Sequence, residues 1–244
     1  LARSGIVVLK MSLRSIFERG RARIFSVFLA VAFVTCLPAG ASAQDAIENV
    51  DIGKNEVGAP PAGFELLPSG ESKQGQWRVV QDATATAGLA IEQAGLEVTE
   101  DRFPFAIYKT ASLTNVEISL RLKATGGKID QGGGVAVRLM APDNYYLVQV
   151  DALRDRVLLS RVTNGVSEEI VGVDADVASH AWHTLAVRAE DDRISVSFDG
   201  NWMFTGYDKT LSHAGRIALW TKGDSVTRFD NISISPLSAL EQRY

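Results

Sequence analysis

Arg138, Tyr145, Gln149 and Asp151 fall within one stretch, Gly132–Asp151, which reads GGGVAVRLMAPDNYYLVQVD. A guanidinium donates along two parallel directions, a tyrosine ring offers an apolar plate, and an amide and a carboxylate accept hydrogen bonds. Together these groups suit a polyhydroxylated ring with one apolar face, that is, a sugar. Alternation decides whether they meet, because successive strand residues point to opposite sides of a sheet. Val135, Val137 and Leu139 are branched and are expected to face a core, leaving Ala136, Arg138 and Met140 on the other side. Past the Pro142-Asp143-Asn144 turn, Tyr146, Val148 and Val150 are expected inward. Tyr145, Leu147, Gln149 and Asp151 then point outward. A plain cross-strand ion pair of Arg138 with Asp151 is the competing reading.

Further along, GRIALWTKGDSVTRFDN (Gly215–Asn231) repeats the pattern. Ile217, Leu219 and Thr221 share the inward parity, so Ala218, Trp220 and Lys222 share the outward one. Trp220 is therefore a candidate stacking platform with Lys222 at its rim. Lys109, which follows FPFAIY, is a further candidate contact on the same face. Its alternative is an ordinary exposed strand end. Trp182 opens a strand and is expected in core or corner packing.

Other chemistry finds less support. His180 and His183 stand three apart at the start of a strand, which sends their rings to opposite sides, so a zinc pair is not expected. His213 is isolated and no nucleophile elbow accompanies it. No metal ligand set is identified. Asp199 and Asp230 are weak candidates for a structural calcium, but no D-x-D-x-D-G loop is present. Gly132–Gly134 reads as a turn or bulge and not a phosphate cradle, since no helix follows.

The elements that must position these residues are short and alternating. NVEISLRLK (Asn115–Lys123) puts Val116, Ile118, Leu120 and Leu122 on one face. Asn164-Gly165 and Asp199-Gly200 are two-residue hairpin signals. No stretch after the N-terminal segment keeps a helical period. Short strands at a spacing of roughly 8–12 residues predict an all-β fold, an antiparallel two-sheet β-sandwich.

The N-terminus reads as an address. Lys10, Arg14, Arg19, Arg21 and Arg23 precede the apolar run Ile24–Leu37, and Ala41-Ser42-Ala43 is a cleavage signal. The run has 14 residues, short of the roughly 20 needed to span a bilayer. The expected organisation is a signal peptide over 1–43, with Met11 an alternative start. A linker over 44–62, a sandwich domain over 63–237 and a tail over 238–244 follow. Export to the periplasm or medium of a bacterium is the implied location. Cys36, the only cysteine, would leave with the signal, which excludes disulfides and thiolate chemistry from the mature chain. Removal of six Lys/Arg and one Glu leaves 19 basic against 28 acidic residues, a net charge of −9. Such a surface repels phosphate backbones, so nucleic acid is not an expected partner. No mature membrane span is expected either.

The order of motifs is strand with arginine, PDNYY, WHTLAV, ISVSFDG, GRIALWT and FDNISI. It resembles the concanavalin-like and laminin-G-like jelly rolls. More specifically, it is similar to the bacterial exported 3-keto-disaccharide hydrolases, also described as family-16-glycosidase-like, over about Trp77–Ile234. The resemblance implies a jelly-roll sandwich with glycans on a concave sheet. The glutamate signature E-x-D-x-E of the family-16 glycosidases is absent, with Glu97, Glu100 and Asp101 at the wrong spacing, so hydrolysis by that carboxylate pair is not expected.

Three functions remain open at this point. The first is glycan recognition without turnover, through Arg138, Tyr145, Gln149 and Trp220. The second is a hydrolase or lyase on a 3-keto-disaccharide or glycoside, with Asp151 as acid or base and Arg138 polarising an oxygen. The third is a structural or interaction module of the envelope. No cofactor is called for beyond the calcium already weighed.

Overall fold

The computed structural model describes residues 47–67, 76–95, 103–109 and 112–238. The expected signal peptide (1–43) and nearly all of the expected tail lie outside the described residues. In chain order the strands are β1 (Glu48–Asn49), β2 (Phe64–Leu67), β3 (Trp77–Gln81), β4 (Leu89–Ala94) and β5 (Phe105–Tyr108). Then come β6 (Val116–Gly126), β7 (Gly132–Ala141), β8 (Asn144–Asp151), β9 (Arg156–Thr163) and β10 (Val166–Asp174). The last five are β11 (His183–Glu190), β12 (Arg193–Phe198), β13 (Asn201–Tyr207), β14 (Arg216–Trp220) and β15 (Val226–Pro236). Among the described residues the one helical turn is the 3-10 segment Ile52–Lys54.

The strands form two antiparallel sheets, as alternation predicts. One has eight strands in the order β13-β12-β11-β6-β15-β4-β3, with β1 also paired to β15. The other has seven, in the order β10-β9-β8-β7-β14-β5-β2. Inward residues of both sheets make the core. Val116, Ile118, Leu120 and Leu122 of β6 meet Val135, Val137, Tyr146, Val148, Val150, Ile217 and Leu219 of the facing sheet. The turn chemistry also holds. Asn164 and Gly165 have φ of 50° and 78°, and Asp199 and Gly200 have 48° and 78°, the positive pair that a type I′ hairpin requires.

Three expectations are corrected. The described part of the stretch read as a linker, 47–62, packs on the sandwich: Glu48 and Asn49 pair with Ile234 and Ser233, Ile52 is buried, and Gly58 and Ala59 bond to Val79. Gly132–Gly134 lies inside β7 and is not a turn. The third correction is a β-bulge. Against β14, three steps of β7 (Ala136 to Leu139) face two of the partner (Ala218 to Arg216), and Arg138 takes a left-handed φ of 49°. The extra residue reverses parity, as bulges do. Arg138 turns into the sandwich and is 1% exposed, while Leu139 moves to the outer face. Gly215 is required beside it, since a Cβ there would collide with the Arg138 backbone.

The carboxylates that tie loops to strands set the expected pH response. Asp224 accepts from the backbone N–H groups of Lys128, Ile129 and Asp130. Burial opposes its ionisation, but those bonds outweigh burial and hold it below the usual range. Asp208 is lowered in the same sense by Tyr146 and Thr210, and Asp82 by Lys123, Thr84 and Arg228, again against burial. A folded value below the unfolded one means the unfolded chain binds more protons in acid. The stabilisation is therefore complete above about pH 4 and is lost as pH falls further. A melting temperature that is flat from pH 8 to 5 and falls below about pH 4 is expected. Asp224→Asn should make that acid limb shallower. A decline already under way between pH 7 and 5 would contradict the assignment.

Candidate functional site

The outer face of the seven-stranded sheet is apolar where a solvent-facing sheet would be polar. Phe105, Ile107, Ala136, Leu139, Tyr145, Leu147, Val162, Ala218 and Trp220 form a second buried cluster there, distinct from the core between the sheets. Register explains how a cavity opens in it. One cross-strand row runs Phe105, Trp220, Gly134, Gln149, Leu158, and the next runs Ile107, Ala218, Ala136, Leu147, Ser160. Gly134, Ala136 and Ala218 in the middle strands have little or no side chain, while the flanking strands carry large ones.

Beside these rows, over Leu147, Gln149, Leu158 and Ser160, lies a cavity of 260 Å³. Phe103, Tyr145 and Trp220 supply its aromatic walls, and Gln149, Ser160, Ser167 and Lys222 its polar ones. Trp220 is not a free plate. It is 2% exposed and stacks on Phe103 with ring centroids 6.1 Å apart and planes 11° apart. Tyr145 meets Phe105 edge-on at 5.2 Å. Burial pushes the Tyr145 phenol up to about 12, so it remains neutral at any working pH. The Lys222 ammonium is held 3.4 Å from the Asp130 carboxylate. The volume is just below the roughly 300–1,000 Å³ of drug-sized sites and suits one small ring.

Four residues singled out from sequence thus share one cavity: Tyr145, Gln149, Trp220 and Lys222. The others do not join them. Arg138 donates to the backbone carbonyls of Thr114 (2.9 Å), Leu211 (3.1 Å) and Asp191 (2.5 Å), inside the sandwich. It clamps three connections at one end of the fold, and burial lowers its pKa. Asp151 is buried at the end of β8, where its oxygens take the N–H groups of Leu153 and Arg154 and the Arg154 guanidinium (2.7 Å). It caps a turn and does not line the cavity. The Arg138–Asp151 pair therefore does not exist, and neither residue is placed to act on a bound ring. Lys109 is exposed at the end of β5 and also lies outside the cavity.

The calcium candidates do not fit a cation. Asp199 is engaged by His183 Nδ1 (2.7 Å) and the Thr184 N–H (2.7 Å). Asp230 is engaged by the Thr86 N–H and hydroxyl and by Arg121. Among the described residues no three His, Cys, Asp or Glu side chains converge as a metal set. His183, stacked on Phe198, bonds Asp199 and the Ala178 carbonyl, so both its nitrogens are occupied.

Sequence reasoning missed Phe103, Leu158, Ser160 and Ser167. The signal for two of them was present. Val157 and Leu159 are inward, which puts Leu158, Ser160 and Val162 on the outer face beside Leu147 and Gln149. A larger opening, of 650 Å³, lies on the other sheet beside Arg78, Glu92, Lys123, His180 and Arg228. Its charges are mutually satisfied. Glu92 pairs with Arg78 and Arg228 at 2.8 Å each, and Asp82 with Arg228 and Lys123. Trp182 lies partly buried there, its ring 4.6 Å from the Lys123 ammonium and 4.8 Å from the Arg121 guanidinium. This arrangement is a closed ionic ladder and leaves no strong group directed at a ligand.

Comparison with known proteins gives a consistent picture. A family model described as the galactocerebrosidase C-terminal lectin domain matches residues 76–237. No curated protein sequence matches. Among solved structures, the carbohydrate-binding module CBM66 from Bacillus subtilis superposes with a TM-score of 0.56 at 19% identity, covering 70% of this chain and 94% of that one. The Ca2+-bound exoplasmic/lumenal domain of VIP36 gives 0.53 at 16%, covering 80% and 92%. Domain 4 of AbnA, a GH43 extracellular arabinanase from Geobacillus stearothermophilus, in complex with arabinotriose, gives 0.52 at 12%, covering 77% and 90%. At such identities these likenesses speak to the fold, the two-sheet jelly roll. The matched family is a lectin domain, whereas the motif order resembles the 3-keto-disaccharide hydrolases.

Proposed function

The chain belongs to the family of galactocerebrosidase C-terminal lectin domains, and from that premise we propose that it is an exported carbohydrate-recognition domain. Its ligand site is the cavity on the outer face of the seven-stranded sheet. The observation that carries this reading is the gathering of Tyr145, Gln149, Trp220 and Lys222 with Ser160 and Ser167 around one cavity. An aromatic wall packs against the apolar face of a sugar ring, while the amide, the two serines and the ammonium serve its hydroxyls. The small volume selects a terminal residue of a glycan over an internal one. Recognition without turnover is favoured because Asp151 and Arg138, the residues that would have acted as acid and electrophile, are committed to a turn and to loop carbonyls.

A glycan array followed by titration calorimetry tests this. At least one glycan terminus is expected to bind saturably with no product by mass spectrometry. Gln149→Ala should weaken it about tenfold, the worth of one good polar contact, with melting temperature unchanged. An array without a saturable ligand, or a variant that binds as tightly as the parent, would refute the assignment. The N-terminal 43 residues supply the export signal in this reading, and mass spectrometry of the secreted protein should find Gln44 at its N-terminus. The described residues contain no helix long and apolar enough to cross a membrane.

A further inference from the structure

Trp202 and Tyr207 are 68% and 66% exposed, and they are the only fully exposed aromatic residues among those described. Both stand on β13, the edge strand of the eight-stranded sheet, across the sandwich from the cavity. Alternation alone would separate them. Phe204 and Gly206 are buried, so Trp202 would share their inward parity and only Tyr207 would face out. A bulge corrects this. Trp202 pairs with Ser197 and Phe204 with Val196, so Met203 is the extra residue, and Trp202 emerges on the outer side with Ser197. Bulges that re-aim a side chain are built features rather than defects.

The ground between the two rings is polar and low. Ser195 pairs with Thr205, and their hydroxyls lie 2.9 Å apart. Beside them runs a shallow cavity of 180 Å³ lined by Glu117, Ala186, Val187, Arg188, Ser195 and Ser197. Along β12 the partners of the two aromatic residues, Ser197 and Arg193, are four residues apart, which sets their backbone positions about 13 Å from one another. Two exposed rings on one face, spaced over several sugar units with hydroxyls between them, match an extended glycan chain. The rings stack on the apolar faces of separated residues, and the hydroxyl row serves the equatorial groups between.

We propose that this face is a second carbohydrate surface, which takes an internal stretch of a polysaccharide. It is independent of the cavity, which takes a terminus. The test uses affinity electrophoresis through gels of xylan, β-glucan, galactan and levan, together with co-sedimentation with cellulose and chitin. The parent is expected to be retained by at least one of these polymers. Trp202→Ala with Tyr207→Ala should reduce that retention tenfold or more, leave melting unchanged, and leave the cavity's oligosaccharide affinity intact. Gln149→Ala should show the reverse pattern. The proposal is overturned if the parent is retained by none of the polymers, or if the double variant is retained as well as the parent. It is also overturned if the double variant's only change is dissociation of a dimer in sedimentation velocity. A parent protein that is retained by a polymer but binds no oligosaccharide terminus would remove the reading of the cavity and leave this one standing.

Discussion

Arg138→Met is expected to destabilise the domain by about 3–5 kcal/mol, one of the largest losses for any single substitution. The side chain is 1% exposed and donates to three backbone carbonyls, of Thr114, Asp191 and Leu211. Those carbonyls belong to three separate connections, so methionine leaves all three without their donor. Stranding a buried acceptor costs about 1–3 kcal/mol. Some of that is recovered as water enters near the loop ends, which brings the sum to the stated range. For a domain of this size the melting temperature should fall by about 6–20 °C. Arg138→Lys should recover only part of it, because an ammonium reaches one or two carbonyls and lacks the guanidinium fork. Glycan affinity of the folded fraction should not change. A variant that melts with the parent but loses its ligand would return Arg138 to the binding surface.

The same residue shows where alternation stops being readable. Val116 to Leu122, Val135, Val137, Tyr146, Val148, Val150, Ile217 and Leu219 all take the faces that alternation gives them, because a sandwich buries one side of each strand. The hairpin turns follow for a similar reason: Asn-Gly and Asp-Gly accept positive φ at low cost. Arg138 and Leu139 exchange faces because one extra residue enters β7, and nothing in the local pattern of apolar and polar residues marks it. The compensating signal, Gly215, sits 77 positions away, and its role emerges only when β14 lies against the bulge. The bulge at Met203 hides the display of Trp202 in the same way. Asp151 has the parity predicted for it, yet it stands at the end of its strand, where turn N–H groups capture a carboxylate first. The cavity residues were legible in part, because Tyr145, Gln149 and Trp220 lie in strands without an intervening bulge. That they share a cavity depends on the register that sets β14, β8 and β9 beside one another, and pairing is a property of the fold, not of any one segment.

Trp220→Ala is the substitution expected to damage both stability and binding, and the two losses can be separated. The indole is 2% exposed, packs on Phe103 and belongs to the outer apolar cluster. Truncating a buried tryptophan costs about 3–5 kcal/mol through lost transfer energy and the void it leaves. Because the void opens into the ligand cavity, the wall that a sugar would pack against goes with it. Affinity should fall by about 30-fold or more, the scale of an aromatic hot spot. Measured well below the lowered melting temperature, where the variant is fully folded, this loss is a property of the site and not of unfolding. Trp220→Phe keeps a ring in the stack and should recover most of the stability and part of the affinity. Gln149→Ala supplies the control, with weaker binding and unchanged melting. If Trp220→Ala proved folded, less stable and yet undiminished in affinity, the outer cluster would be packing alone and the glycan would have to bind elsewhere on the sandwich.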